Sequence, residues 1–215
     1  MHAGAGVHDT NVFAQVMKKD AKLALTLMAD EVINPAFPDA ALAKLKDKAK
    51  TALKAMKADA DGLADSLFGM AAYPAGHPYG RPMPTDAQID GVNIDALKKF
   101  HSSFYRSNNA YLILSGDITP GEAQPLIEGI FGKWKPIEGQ APVNPLNGFK
   151  DYKLPTKLVI HLVDRPGSAQ SEVRIGNLAL ARKHPDWIRF DMASRILGGG
   201  STGRLFLDVR EEKGL

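Results

Sequence analysis

The residue types able to do chemistry are spread thinly along this chain, and their spacing limits what each can do. There are six histidines, His2, His8, His77, His101, His161 and His184, and neither His-Glu-x-x-His nor His-x-x-Glu-His occurs anywhere. His77 lies in the loop Pro74-Ala75-Gly76-His77-Pro78-Tyr79-Gly80-Arg81-Pro82-Met83-Pro84. No Asp, Glu or second His stands beside it at metal spacing, so a structural role outweighs that of ligand or base. His101, beside Phe100 and Phe104, reads as a packed or surface histidine, and Asp117 after Gly116 as a turn aspartate satisfying backbone amides. Gly198-Gly199-Gly200 precedes a helix start and offers amides to an anion. Without the Lys-Ser/Thr of a phosphate loop, a hinge or close backbone crossing is the simpler reading. Arg204 and Arg210 carry fixed planar donors suited to a carbonyl or carboxylate, with a salt bridge to a local acid as the plainer use. The chain has no cysteine, which excludes disulfides, thiolate zinc sites and a cysteine nucleophile.

Positioning these residues falls to an alternation of helices and short strands. Val12 to Met17 reads as a strand, and Asp20 caps a helix to Ile33 that Asn34-Pro35 stops. A long helix runs from Asp39 to about Asp59, with six lysines between Lys44 and Lys57 against one acid, Asp47. A helix from about Gly62 to Ala72 precedes the proline loop, and another runs from Asn93 or Asp95 to Phe104. Ala110 to Leu114 is an apolar strand; Pro120 starts a helix to Phe131. Lys157 to Val163 and Ser171 to Leu178 read as partner strands across the Pro166-Gly167 turn. Pro185 to Leu197 is a helix, and an amphipathic segment with Leu205, Phe206 and Val209 on one stripe follows the triple glycine. Adjacent antiparallel-looking pairs among helices predict an α+β, two-layer design. The proline- and glycine-rich stretch 141–155 is the expected linker between a module over 1–140 and the beginning of another over 156–215.

A length of 215 residues suits one large domain or two modest ones, able to bury about 70% of the unfolded chain's surface. Hydrophobic content of 44% and charged content of 24% are those of a globular protein. The net charge of +3, with lysines and acids interspersed, excludes a nucleic-acid footprint and a polybasic membrane tail. No apolar run is long enough for membrane insertion. Met1 to Gly6 lacks the apolar core of a signal peptide, which leaves the compartment open.

Taken together and in order, several segments carry a resemblance. Asn34-Pro35-Ala36-Phe37, Gly76-His77-Pro78-Tyr79-Gly80-Arg81-Pro82, Phe104-Tyr105-Arg106-Ser107-Asn108-Asn109-Ala110 and Gly116-Asp117 form a first group. Gln170-Ser171-Glu172-Val173-Arg174-Ile175-Gly176, Ile196-Leu197-Gly198-Gly199-Gly200 and Arg204 through Leu215 form a second. The chain resembles the pitrilysin/insulinase superfamily of zinc metallopeptidases, especially its bacterial processing-peptidase-like branch. The resemblance implies two-layer α/β modules with antiparallel sheet and packed helices. The first group matches the second part of the family's N-terminal module, the second group the start of the next module. The expectation is therefore a fragment of a longer chain, its last helix stopping inside a motif.

In active members of that superfamily, zinc is held by the two histidines of an inverted His-x-x-Glu-His motif and a glutamate on a later helix. The match of Asn34-Pro35-Ala36-Phe37 puts that glutamate's position at Ala52, and an acid two turns earlier at Leu45. Asp47 survives nearby but faces elsewhere, and no Glu occurs between Val32 and Glu122. The resemblance thus implies a peptidase-like chain inactive on its own, binding no cofactor itself, with zinc in an active homologous partner. Such a chain would support the partner's proteolysis by completing the substrate chamber. Arg210 matches a substrate-binding arginine whose companion tyrosine would fall beyond Leu215. His77, Tyr79 and Arg81 are expected as structural loop residues. The expected partners are the active zinc peptidase homologue and a peptide substrate, and the expected location is the periplasm or cell envelope. A purely structural or peptide-binding module is the alternative, and an active zinc endopeptidase a more distant one.

Overall fold

The computed structural model describes residues 1–6, 8–139 and 155–214. Nearly all of the expected linker 141–155 lies outside the described residues. The described chain divides into two units, 1–139 with 157–174, and 175–214 with 155–156.

The first unit opens on a hairpin. β1 (His2–Ala5) and β2 (Thr10–Phe13) pair antiparallel with His2 opposite Phe13, and their rings lie 5.3 Å apart. The ladder ends at Phe13, before the Met17 expected from sequence. α1 (Ala21–Ile33) follows, burying Leu25 and Ala29 at helical spacing. Its end turns through Asn34-Pro35-Ala36, and Phe37 takes φ 46°, a left-handed conformation that a bulky residue adopts only when its surroundings hold it. The Phe37 ring meets His101 edge-on at 5.8 Å, and the His101 Nε2–H donates to the Val32 carbonyl at 2.8 Å. His101 therefore closes the α1 turn.

α2 (Asp39–Ala58) and α3 (Ala60–Ala72) are separated by Asp59, whose carboxylate accepts from the amides of Asp61 and Gly62. That N-cap places the break between two good helix formers. α4 (Asp86–Gly91) was not expected from sequence, although its signal is there: Thr85 and Gln88 form a reciprocal capping box. α5 (Ile94–Phe104) starts on the Asn93 cap. α6 (Pro120–Phe131) combines Pro120 in its first turn with a Thr119–Glu122 capping box. α2 packs on α3 and α4, and α1 on α6.

Segment 157–174 is held to the α2–α3 junction by two arginines. Arg165 donates to the Ala58 carbonyl at the C-terminal end of α2. Arg174 pairs with Asp61 and, at 2.5 Å, with Asp65 on α3, and with its neighbour Glu172 at 3.5 Å. These hydrogen bonds, the one to Asp65 foremost, raise the guanidinium's pKa above its usual range.

In the second unit α7 (Trp187–Gly198) leads through the triple glycine to α8 (Arg204–Phe206), which continues as a π-helical turn, Leu207–Glu212. A Cβ on Gly199 would stand 2.6 Å from Arg195 Cα, and one on Gly203 3.1 Å from Gly198 Cα. The glycines serve a close backbone crossing between α7 and α8.

The architecture is α+β, rich in helix, with its ladder in the opening hairpin. The strands expected at Ala110–Leu114, Lys157–Val163 and Ser171–Leu178 form no ladder among the described residues. Their alternation defines two faces, but a strand also needs a neighbour to take its amides. Tyr111 and Leu162 are 98% and 92% exposed. Among the described residues only Leu25, Ala29 and Leu53 form a buried apolar core.

Candidate functional site

α2 carries the positions on which a metal reading turns. Successive residues advance about 100° around a helix. Leu45 and Ala52 therefore lie within about 20° of each other, and Asp47 about 140° from Ala52. Ala52 is exposed and Leu45 is 60% exposed, so this face is open, but it offers a methyl and an isobutyl group where zinc needs oxygen or nitrogen. No group of three or more His, Cys, Asp or Glu that could hold a metal ion occurs among the described residues. Among the described residues, the side chains on this face of α2 do not fit a zinc ion. The lysines closest to the acids are turned to other work: Lys46 Nζ donates to the Asp90 carbonyl at 2.8 Å, and Lys50 pairs with the Asp90 carboxylate at 2.6 Å.

His77, Tyr79 and Arg81 sit in the loop that follows α3. His77 is 8% exposed; its Nδ1 accepts from the Tyr79 amide at 3.1 Å, and its ring stacks on Tyr73 at 4.7 Å. Tyr79 meets Tyr73 edge-on at 5.3 Å and its hydroxyl bonds His8 Nε2. Two glycines permit this approach, since a Cβ on Gly80 would stand 3.0 Å from Tyr73 Cβ and one on Gly69 3.1 Å from the Tyr79 carbonyl. Arg81 is exposed. The cluster holds the loop against α3 through ring contacts.

Arg210 lies in the π-helical turn, a local widening that recurs at functional sites. The salt bridge expected from its acidic neighbours is not formed: Arg210 has no ion pair among the described residues, and its guanidinium stands over the Phe206 ring at 6.0 Å. Asp208, two residues before it, is taken by Lys213 at 3.2 Å. Arg210 is exposed, with its donors available. Asp117 pairs with Lys18 at 3.6 Å.

Arg106, given no role of its own from sequence, is 5% exposed, and its Nε has no hydrogen-bond partner among the described residues.

The family model described as the Peptidase M16 inactive domain matches residues 91–215. The uncharacterized zinc protease YmxG of Bacillus subtilis is 26% identical over 207 residues, 96% of this chain and 48% of that protein. An uncharacterized zinc protease of Mycobacterium tuberculosis is 29% identical over 218 residues, spanning 100% of this chain and 48% of its own length. The crystal structure of a peptidase M16 inactive domain from Pseudomonas fluorescens superposes with a TM-score of 0.67 at 24% identity, covering 93% of this chain and 47% of that one. The chain thus spans about half the length of the curated relatives it matches.

Proposed function

The chain belongs to the peptidase M16 family, and from that premise we propose that it is a non-catalytic, peptidase-like element that supports proteolysis by an active zinc metallopeptidase partner. What supports this reading is the face of α2, which carries Leu45 and Ala52 at the positions that the resemblance matches to the two acids of the zinc site. Zinc and the water it activates then belong to the partner. This chain completes the substrate chamber and presents Arg210, whose guanidinium is steadied by Phe206 and free of any acid among the described residues, to a peptide carbonyl or carboxylate.

The test is metal analysis and reconstitution. The purified protein is expected to hold no stoichiometric zinc and to cleave no peptide alone, and to raise peptide turnover when mixed with an active homologue. One tight zinc per chain would overturn the reading. Arg210→Ala in the assembled complex is expected to lower turnover by about tenfold or more, as for other donors aimed at a substrate oxygen, with assembly intact. The packing of Arg210 on its own helix favours a second, purely structural reading, which predicts unchanged turnover for that variant.

A further inference from the structure

Arg106 is a cation enclosed without a partner. It is 5% exposed, and its side chain makes no hydrogen bond or ion pair among the described residues. Nε is shut away from solvent with nothing to accept its proton. The two Nη nitrogens, equally unmet, are not sealed in the same way, so the fork of the guanidinium keeps a narrow opening. The backbone around it is pinned. Arg106 leaves α5 in an extended conformation, φ −149° and ψ 150°, and its carbonyl accepts from the Asn109 amide at 3.0 Å. Asn109 Nδ2 donates to the Phe104 carbonyl at 3.1 Å, and Asn108 Nδ2 to the Ile137 carbonyl at 3.4 Å. On the other side the Tyr105 ring lies 4.7 Å from that of His101. An arginine on a loose turn carries its charged head out to water; this one is drawn into a fixed corner.

A guanidinium taken out of water without a counter-charge is costly to hold, and it cannot escape by losing its proton. Its charge has to be met by an anion. The two Nη nitrogens offer parallel donors at the spacing of the two oxygens of a carboxylate. A phosphate, with further charge and further oxygens, needs more donors than one guanidinium, and Asn108 and Asn109 have each spent amide hydrogen on a carbonyl. We infer that Arg106 is a binding site for a carboxylate, taken end-on across its two Nη nitrogens, from a small organic acid or from an Asp or Glu side chain of a polypeptide. The corner that pins Arg106 is the frame that holds the fork ready for it.

The test is thermal unfolding of the whole chain at neutral pH and constant ionic strength, with sodium acetate replacing sodium chloride. The midpoint is expected to rise by about 3 °C in about 100 mM acetate, the shift for a ligand held at about 10 mM. Arg106→Met should lose the rise. Arg106→Lys, which keeps the charge without the fork, should lose most of it, and this variant decides the matter if the methionine variant does not fold. A short peptide carrying one glutamate, set against the same peptide with glutamine, separates the two sources. A rise in acetate assigns a small acid; a rise with the glutamate peptide alone assigns a polypeptide carboxylate. Identical midpoints in chloride, acetate and the glutamate peptide overturn the inference. So does a rise that survives undiminished in the variants, which is a general salt effect. A larger rise in phosphate than in acetate, lost with Arg106, overturns it in favour of a phosphate.

Discussion

At the scale of single residues, chemistry here is decided by what a side chain can offer and whether it is met. Ala52 and Leu45 offer no lone pair, and no arrangement of the backbone changes that. His77 offers two ring nitrogens, but Nδ1 accepts from the Tyr79 amide and the ring is stacked on Tyr73. Arg106 is the opposite case, a cation taken out of water with Nε unmatched. Such burial costs more than a methionine of similar length would. Arg106→Met is therefore expected to leave the fold intact and to stabilise it by about 1–3 kcal/mol, the desolvation cost of an unmet donor. Urea denaturation followed by circular dichroism measures this, and a lower midpoint would show that the guanidinium is satisfied in solution.

Elements are set by their ends as much as by their faces. The caps at Asp59, Thr85, Asn93 and Thr119 place four helix starts. At α6 the Glu122 carboxylate accepts from the Thr119 amide and hydroxyl and lies 3.4 Å from Lys18. The backbone bond first, then the hydroxyl and Lys18, hold its pKa below the ordinary 4.5. A carboxyl depressed on folding contributes stability above its unfolded pKa, and that contribution disappears as pH falls through the folded value. Glu122→Gln keeps the shape of the capping box but removes the charge. It is expected to lower the thermal midpoint at neutral pH, with the gap from the parent closing below about pH 4.5. Melting curves from pH 7 to pH 3 test the sign; a gap that widens in acid would refute it.

For the whole molecule, the buried apolar core among the described residues is small: Leu25, Ala29 and Leu53. Within the first unit, long-range order between segment 157–174 and the α2–α3 junction rests on Arg165 and Arg174 more than on packing. Arg174→Ala removes three ion pairs at once. It is expected to expose 157–174 to limited proteolysis while α1 to α3 remain protected, with cleavage mapped by mass spectrometry. Unchanged cleavage kinetics would show that apolar contacts hold the segment instead.

Much was legible from sequence because it is local. The extents of α1, α2 and α5 follow from apolar spacing and turn residues, and the crossing at Gly198-Gly199-Gly200 from the freedom of glycine. The resemblance read from short segments reached the same family as the comparison of the whole chain. α4 was legible too, through Thr85 and Gln88, but its six residues are too few to show a period. What sequence could not supply is non-local. The alternation at 110–114, 157–163 and 171–178 marks strands only if another segment takes their hydrogen bonds, and that depends on what lies beside them. Nor can a sequence show that Arg210 rests on Phe206 while Lys213 takes Asp208. Local propensity sets where elements begin and end; which faces remain open is decided by the set of layers that fold against one another.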